Sequence, residues 1–183
     1  KEALPLASKA IRDLNLSEKE LQGVTHLIVT SCTGFYAPGL DIEIVRKWNL
    51  SPRVRRLLVT YMGCYAAISG LRAAQDIVRS HPKARVLMVN LELCSLHLQE
   101  SALMDRLVSF LLFADGCAAS LVTADDDGFE LLDFQSSLGV SSQDRMQWIV
   151  EDQGFAMTLD IRVPMLIQEL LDREKDMIFS GTN

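Results

Sequence analysis

The sequence predicts an α/β protein built around a largely parallel sheet. Three apolar runs have the length and continuous hydrophobicity of strands buried on both faces: "VTHLIVTSC" (24–32), "RRLLVTYM" (55–62) and "ARVLMVNLEL" (84–93). Segments with helical periodicity lie between these runs. Strands that alternate with helices at this spacing indicate βαβ units with right-handed crossovers.

The first half of the chain contains three predicted helices. Residues 3–14 form an amphipathic pattern typical of a helix. Gly34 and Pro38 interrupt the chain after the first strand, and a short helix is expected at 39–48. The helix expected at 64–80 is rich in small residues and apolar nearly all the way round, which is typical of a helix enclosed by neighbours. We therefore expect its N-terminus to be buried near the middle of the molecule.

The second half begins with a helix expected at 102–112, followed by a strand at 116–124. The aspartate run "DDDG" (125–128) is typical of a solvated turn rather than of a metal site. From there the pattern changes to hairpin-like strands, starting with 129–138, and then to a helix at 161–174. This change predicts an internal boundary close to residue 125.

Composition restricts the class of protein. The 183 residues are 49% hydrophobic and 23% charged, as in a soluble globular protein, and suffice for about one domain. The apolar runs are shorter than the roughly 20 residues of a membrane span, and no signal peptide is visible. We therefore expect a cytoplasmic protein without a membrane partner. The net charge of -6 argues against a nucleic-acid surface.

The cysteines indicate neither a disulfide framework nor a zinc site. Cys32, Cys64, Cys94 and Cys117 are widely spaced, lie in or beside apolar runs and form no C-x-x-C pair. Cys94 and His97 form a lone C-x-x-H. Without a second pair at ligand spacing, it does not predict a metal ion.

Cys64 has two interpretations. In the first turn of the predicted helix it would lie near the positive end of the helix dipole and unpaired backbone N–H groups, which favour a thiolate. The same N–H groups could bind an oxyanion formed on an acyl group attached to the sulfur. Alternatively, Cys64 is a small buried hydrophobic residue. Spacing alone leaves both interpretations open.

The sequence around Cys64 resembles that of a known protein family. "GCYAAISGLRAAQDIV" after "RLLVTYM" is similar to the active-site strand and helix of bacterial-type type III polyketide synthases, the chalcone-synthase-like branch of the thiolase superfamily. Three further blocks agree in the same order: "THLIVTSCTGFYAPGLD" (25–41), "ARVLMVNLELCSLHLQ" (84–99) and "LLFADGCAASLV" (111–122). The segment 152–167 fits less closely.

The resemblance implies a thiolase-like α/β fold, layered αβαβα with mixed sheets, present here as a partial copy. Residues 1–125 would be the remainder of the N-terminal half, and 126–183 the start of the C-terminal half. Cys64 would accept a starter acyl group from coenzyme A, and malonyl-CoA would decarboxylate and condense with it. The resemblance implies no cofactor beyond CoA thioesters. It also implies a homodimer, in which the loop 33–39 reaches into the neighbouring subunit.

The resemblance also implies a set of substrate-binding residues. Phe113 matches the gatekeeper between the CoA tunnel and the cavity, although an ordinary core aromatic residue fits equally well. For His97, hydrogen-bonded packing is an alternative to acid-base catalysis, and Trp148 in the wall of the elongation cavity has plain core packing as its alternative. The remaining residues matched to the substrate pocket are Cys32, Thr33, Cys94 and Met157.

The resemblance is incomplete. The family holds the malonyl thioester with a histidine in an H-P-G-G-type motif and an asparagine in a G-N-type motif. His26, His81, His97 and Asn183 do not match these motifs. We therefore expect the middle portion of a longer synthase, inactive in condensation by itself. The alternatives are a ketoacyl-ACP synthase, an HMG-CoA synthase or a noncatalytic module of the same fold.

Overall fold

The computed structural model describes residues 2–139, 142–152 and 154–179. The chain forms two compact units. One contains the residues up to Leu93 together with Asp115–Leu131, and the other contains Cys94–Ala114 and the residues from Leu132 onward. The predicted boundary at residue 125 stays a prediction, because each of these units combines two segments that are separate in sequence. No helix in the described part of the chain is long and apolar enough to cross a bilayer.

The first unit is a four-stranded sheet with helices, and its sheet order is β2-β1-β3-β4. Strands β1, β2 and β3 are parallel, and β4 is antiparallel to β3. The predicted alternation of strands and helices is therefore confirmed. In chain order the elements are α1 (Ala3–Asp13), α2 (Glu18–Gln22), β1 (His26–Thr30), α3 (Leu40–Lys47), β2 (Arg55–Val59), a 3-10 turn (Gly63–Tyr65), α4 (Ala66–Ser80), β3 (Val86–Glu92) and β4 (Gly116–Val122).

Two apolar cores cover the two faces of this sheet. Leu27 and Val29 of β1 face one core, which they share with α1 and α3. Ile28 faces the other core, where it packs with Ala74 of α4 and Met88 of β3. Successive strand residues point to opposite faces, so the continuous apolar runs of β1 and β3 supply both cores. The prediction that these two strands are buried on both faces is confirmed.

Strand β2 differs from its predicted environment. Its apolar run was expected to be buried on both faces, but four of the five residues from Arg55 to Val59 are exposed. The physical reason is its place in the sheet: β2 is an edge strand, whereas the two cores centre on β1 and β3. One arginine of this strand, Arg56, forms an ion pair with the buried Asp41 at the start of α3.

The second unit contains an antiparallel hairpin and two helices. Its elements are a second 3-10 turn (Cys94–His97), α5 (Met104–Leu112), β5 (Met146–Glu151), β6 (Gly154–Leu159) and α6 (Val163–Phe179). Helix α5 packs on β6. The predicted hairpin and final helix are confirmed. The strand predicted at 129–138 was wrong, since these residues have no regular secondary structure and the hairpin starts later.

Candidate active site

Cys64 lies in a tight turn between a strand and a helix. Strand β2 ends at Val59, and the chain then passes through Tyr61 and Gly63, which have φ angles of 56° and 71°. Cys64 follows in the 3-10 turn that precedes α4, and it is exposed to solvent. The expectation that the start of this helix is buried is confirmed for Ala66, the first residue of α4, whereas Cys64 in the preceding turn is exposed. The turn presents the thiol at the carboxyl end of the parallel strands.

The electrostatic environment of Cys64 differs from the one expected for a helix start. Although Cys64 is exposed as a residue, partial desolvation of its thiol raises its pKa above the ordinary value for cysteine, and the neighbouring Cys32 and Glu92 raise it further. One backbone N–H bond acts in the opposite direction. The net direction of the pKa is therefore opposite to the one predicted from the helix N-terminus, because burial, Cys32 and Glu92 outweigh the backbone N–H bond. Helix α4 begins only at Ala66, so the dipole acts on Cys64 from beyond the 3-10 turn.

Glu92 at the end of β3 holds the segment that follows β1 through hydrogen bonds. Its carboxylate accepts hydrogen bonds from the backbone N–H of Cys32 at 3.0 and 3.2 Å. It also accepts one from the hydroxyl of Thr33 at 2.6 Å. The hydroxyl oxygen of Thr33 accepts a bond from the backbone N–H of Leu93 at 2.7 Å. Charge-assisted bonds of this kind are among the stronger ones in proteins. They fix Cys32 and Thr33 at the carboxyl end of the sheet.

The first unit thus brings together three of the residues predicted from the sequence. The Sγ atom of Cys32 lies 3.7 Å from the carbonyl oxygen of Gly63, next to Cys64. Thr33 is buried and shares Glu92 with the backbone of Cys32. Glu92 was not among the predicted site residues. Its position at the carboxyl end of a central strand is the sequence signal that could have identified it.

The second unit brings together three others. The ring of His97 contacts Trp148 edge to face, with centroids 4.8 Å apart, and contacts Phe155 in the same manner at 5.5 Å. Trp148 and Phe155 are stacked with centroids 5.3 Å apart. Met157 is the register partner of Trp148 in the hairpin. His97, Trp148 and Met157 therefore form one cluster, to which the structure adds Phe155.

Cys94 and Phe113 lie elsewhere in the second unit. Cys94 begins the 3-10 turn that ends at His97, and it is half-buried. Phe113 caps α5, where its backbone N–H donates to the carbonyl oxygen of Ser109 at 3.0 Å, and it is half-buried as well. Their roles in substrate binding stay predictions. Asn183 lies outside the described residues.

Cys117 is the fourth cysteine, and it lies in β4. Partial burial raises the pKa of Cys117 to about 11, so it is a poor nucleophile at neutral pH. Over residues 2–139, 142–152 and 154–179, no group of three or more His, Cys, Asp or Glu side chains could hold a metal ion.

Comparison of the sequence with known families and proteins gives consistent matches. The profile of the family "Chalcone and stilbene synthases, N-terminal domain" matches residues 3–126. The chain is 37% identical over 129 residues to the alpha-pyrone synthesis polyketide synthase-like Pks18 of Mycobacterium tuberculosis, covering 67% of this chain and 31% of that protein. It is 33% identical over 167 residues to the 1,3,6,8-tetrahydroxynaphthalene synthase of Streptomyces griseus, covering 88% and 45%. The chain thus spans less than half the length of these relatives.

Comparison with solved structures also finds type III polyketide synthases. The C-terminal type III polyketide synthase domain of Steely1 from Dictyostelium superposes with a TM-score of 0.84 at 26% identity, over 97% of this chain and 50% of that one. The 1,3,6,8-tetrahydroxynaphthalene synthase of Streptomyces coelicolor superposes with a TM-score of 0.80 at 29% identity, over 94% and 49%. Both similarities extend beyond the segment matched by the family profile.

Proposed function

Because the chain belongs to the chalcone and stilbene synthase family and carries part of a thiolase-like fold, we propose that it serves a type III polyketide synthase in which Cys64 is the nucleophile. The reaction is the decarboxylative Claisen condensation of malonyl-CoA with an acyl group held on Cys64. One observation carries this proposal: Cys64 is an exposed thiol on a strand-to-helix turn, inside the segment matched by the family profile.

The first step transfers an acyl group from coenzyme A to Cys64. The sulfur attacks the thioester carbonyl, the bond to the sulfur of CoA breaks, and CoA leaves as a free thiol carrying the proton of Cys64. Because the pKa of Cys64 is raised, this proton needs an acceptor when the sulfur attacks. The thioester on Cys64 then fixes the electrophile at one place, which replaces one difficult condensation by easier steps.

The second step extends the chain. Malonyl-CoA loses carbon dioxide, and the resulting enolate attacks the acyl carbon on Cys64. The bond from that carbon to the sulfur of Cys64 breaks, which releases the thiolate for another round and leaves a β-ketoacyl-CoA. CoA thioesters are the substrates in this scheme, and no further cofactor takes part. That the 183-residue chain alone does not catalyse the condensation of malonyl-CoA stays a prediction.

The clustered side chains would bind the acyl group. Cys32 and Thr33 would contact it next to Cys64, because Glu92 fixes both residues beside that turn. His97, Trp148 and Met157 would limit the length of the growing chain, because an indole occupies much more space than a small side chain. Cys94 and Phe113 would bind the substrate as well, a role that rests on the family resemblance alone.

The assembly would be a homodimer in the cytoplasm. The loop 33–39 carries two exposed aromatic side chains, Phe35 and Tyr36, which are 40% and 47% exposed. Apolar side chains of this size are typical of protein interfaces. The four thiols suit a reducing compartment. Sedimentation of the intact protein as a monomer at micromolar concentration would rule out the dimer.

The proposed function is tested by supplying the intact protein with acyl-CoA and malonyl-CoA and analysing the products by mass spectrometry. We expect polyketides from the wild-type protein and none from a Cys64→Ala variant. A parallel sample receives the same acyl group on an acyl carrier protein. Loading from the carrier protein alone would favour a ketoacyl-ACP synthase instead. Loading from neither donor would indicate a noncatalytic module.

A further inference from the structure

The turn before Cys64 contains a backbone conformation that its residue type disfavours. Tyr61 and Gly63 both have positive φ angles, 56° and 71°. Glycine adopts this region freely, whereas a bulky side chain adopts it at a cost in energy. Contacts around Tyr61 must therefore stabilise this conformation.

Phe35 provides such a contact. Its ring stacks on that of Tyr61, with centroids 4.6 Å apart and planes inclined by 11°. Both side chains remain exposed, Phe35 by 40% and Tyr61 by 57%. The stack therefore does not follow from burial in either core. It joins the segment after β1 to the turn after β2.

The segment that carries Phe35 contacts the turn at two further points. The backbone N–H of Ser31 donates to the carbonyl oxygen of Val59 at 3.2 Å. The Sγ atom of Cys32 lies 3.7 Å from the carbonyl oxygen of Gly63. Glu92 fastens the same segment to the end of β3 through the backbone of Cys32. The segment is therefore held on one side by β3 and contacts the turn on the other.

We infer that the stack of Phe35 on Tyr61 positions Cys64 for acyl transfer, by holding the turn in its left-handed conformation. This inference rests on the proposed function, since it concerns the same nucleophile. Phe35 and Tyr61 are positioning residues, because neither side chain has to touch the reacting atoms. If the stack is lost, the turn can relax toward conformations that tyrosine prefers, and the sulfur then leaves its place beside Cys32.

The first test measures the rate at which butyryl-CoA and octanoyl-CoA acylate Cys64 in the intact protein. We expect Phe35→Ala and Tyr61→Ala to slow acylation by about two- to tenfold. This range corresponds to the free energy that an aromatic pair contributes. Phe35→Tyr and Tyr61→Phe keep two stacked rings and should restore the wild-type rate. Phe129→Ala is the matched control, because this aromatic side chain is fully exposed. It should leave the rate unchanged.

A double variant shows whether the two rings act as a pair. If the stack is the cause, Phe35→Ala combined with Tyr61→Ala should slow acylation no more than either single variant does. Independent effects that multiply would overturn the inference. Sedimentation of each variant shows whether assembly has changed, since Phe35 lies in the loop proposed for the dimer.

A second readout separates positioning from general stability. Alkylation of Cys64 by iodoacetamide is followed against pH in wild type and in Phe35→Ala. A released turn takes the sulfur away from Cys32 and Glu92, so the midpoint of alkylation should move to lower pH while acylation becomes slower. The half-buried Cys117 reports on folding and should stay as poorly labelled as in wild type. If Phe35→Ala does not fold, Phe35→Leu keeps apolar volume without the stack.

The outcomes distinguish the inference from the proposed function. A folded Phe35→Ala or Phe35→Leu protein with the wild-type acylation rate and the wild-type pH profile would overturn the inference. Absence of acylation in the wild-type protein would instead contradict the proposed function. In that case the pH profile of alkylation still tests whether the stack positions Cys64.

Discussion

The Sγ atom of Cys32 lies 3.7 Å from the carbonyl oxygen of Gly63, the residue before Cys64. Two cysteines from the ends of neighbouring strands therefore share one environment. Cys32 and Glu92 both raise the pKa of Cys64, in addition to the effect of burial. The reactivity of Cys64 thus depends on residues that are distant from it in sequence.

Replacing Cys32 should make Cys64 easier to ionise. Because Cys32 raises the pKa of Cys64, a Cys32→Ala variant should have a lower Cys64 pKa, so that more of the sulfur is thiolate at a given pH below the midpoint. Iodoacetamide alkylation of the Cys64 peptide, measured against pH by mass spectrometry, should shift to lower pH. Cys117→Ala is the control. A shift to higher pH in Cys32→Ala would contradict this account.

Replacing Glu92 should act on both stability and ionisation. A Glu92→Gln variant loses the negative charge near Cys64, so the pKa of Cys64 should fall. Loss of charge-assisted bonds to Cys32 and Thr33 should also lower the free energy of unfolding by about 1–3 kcal/mol, measured by urea denaturation. An unchanged alkylation profile together with unchanged stability would show that Glu92 does not fasten this segment.

Gly70 should be required where α4 packs on the sheet. A Cβ atom at this position would lie 2.6 Å from Cε of Met88 and 3.1 Å from Cγ2 of Thr30, and both neighbours are buried. We expect Gly70→Ala to lower the free energy of unfolding by about 1–2 kcal/mol, because overpacking outweighs the better helix propensity of alanine.

Two variants control this prediction. Gly116→Ala places a Cβ atom with nothing within 4 Å, so its free energy of unfolding should stay within about 0.5 kcal/mol of wild type. Met88→Val, added to Gly70→Ala, shortens the obstructing side chain and should recover part of the loss. Thermal or urea denaturation measures all three proteins. Equal stability of Gly70→Ala and wild type would show that the Met88 side chain or the helix can move aside.

Trp148 should limit product length. It contacts His97 and Phe155 and faces Met157 in the hairpin register. In the intact enzyme, Trp148→Gly should give longer polyketides or admit longer acyl starters, because removal of an aromatic side chain opens about 150 to 250 Å² of surface. Acylation of Cys64 should persist. Trp148→Phe keeps a stacked ring and should retain short products. An unchanged product profile in an active Trp148→Gly protein would place this residue outside the cavity.

The sequence predicted β1 and β3 well, because helices cover both faces of these strands and their apolar runs reflect it. The run in β2 has a similar composition, yet β2 is an exposed edge strand. Strand order depends on pairing between distant segments, which a local pattern does not contain. The apolar residues at 129–138 were misread for the same reason, since a strand pattern without a pairing partner does not form a strand.

In the candidate site, too, some features could be predicted from the sequence and others depend on contacts between distant segments. The family resemblance identified His97, Trp148 and Met157, and the structure places them in one cluster although they are distant in sequence. The helix dipole, which depends on residues next to Cys64, predicts a lowered pKa for this thiol. Burial, Cys32 and Glu92 instead raise it, and two of these causes come from residues distant in sequence. These contacts arise from the meeting of three strands.

The central claim is that Cys64 accepts the acyl group. The most direct measurement incubates the intact protein with acyl-CoA and locates the acyl group by peptide mass spectrometry. We predict that the acyl group is found on the peptide containing Cys64 and is absent from a folded Cys64→Ala protein, while Cys32, Cys94 and Cys117 stay unmodified. Acylation of another cysteine in preference to Cys64, or equal acylation of the Cys64→Ala protein, would contradict the account.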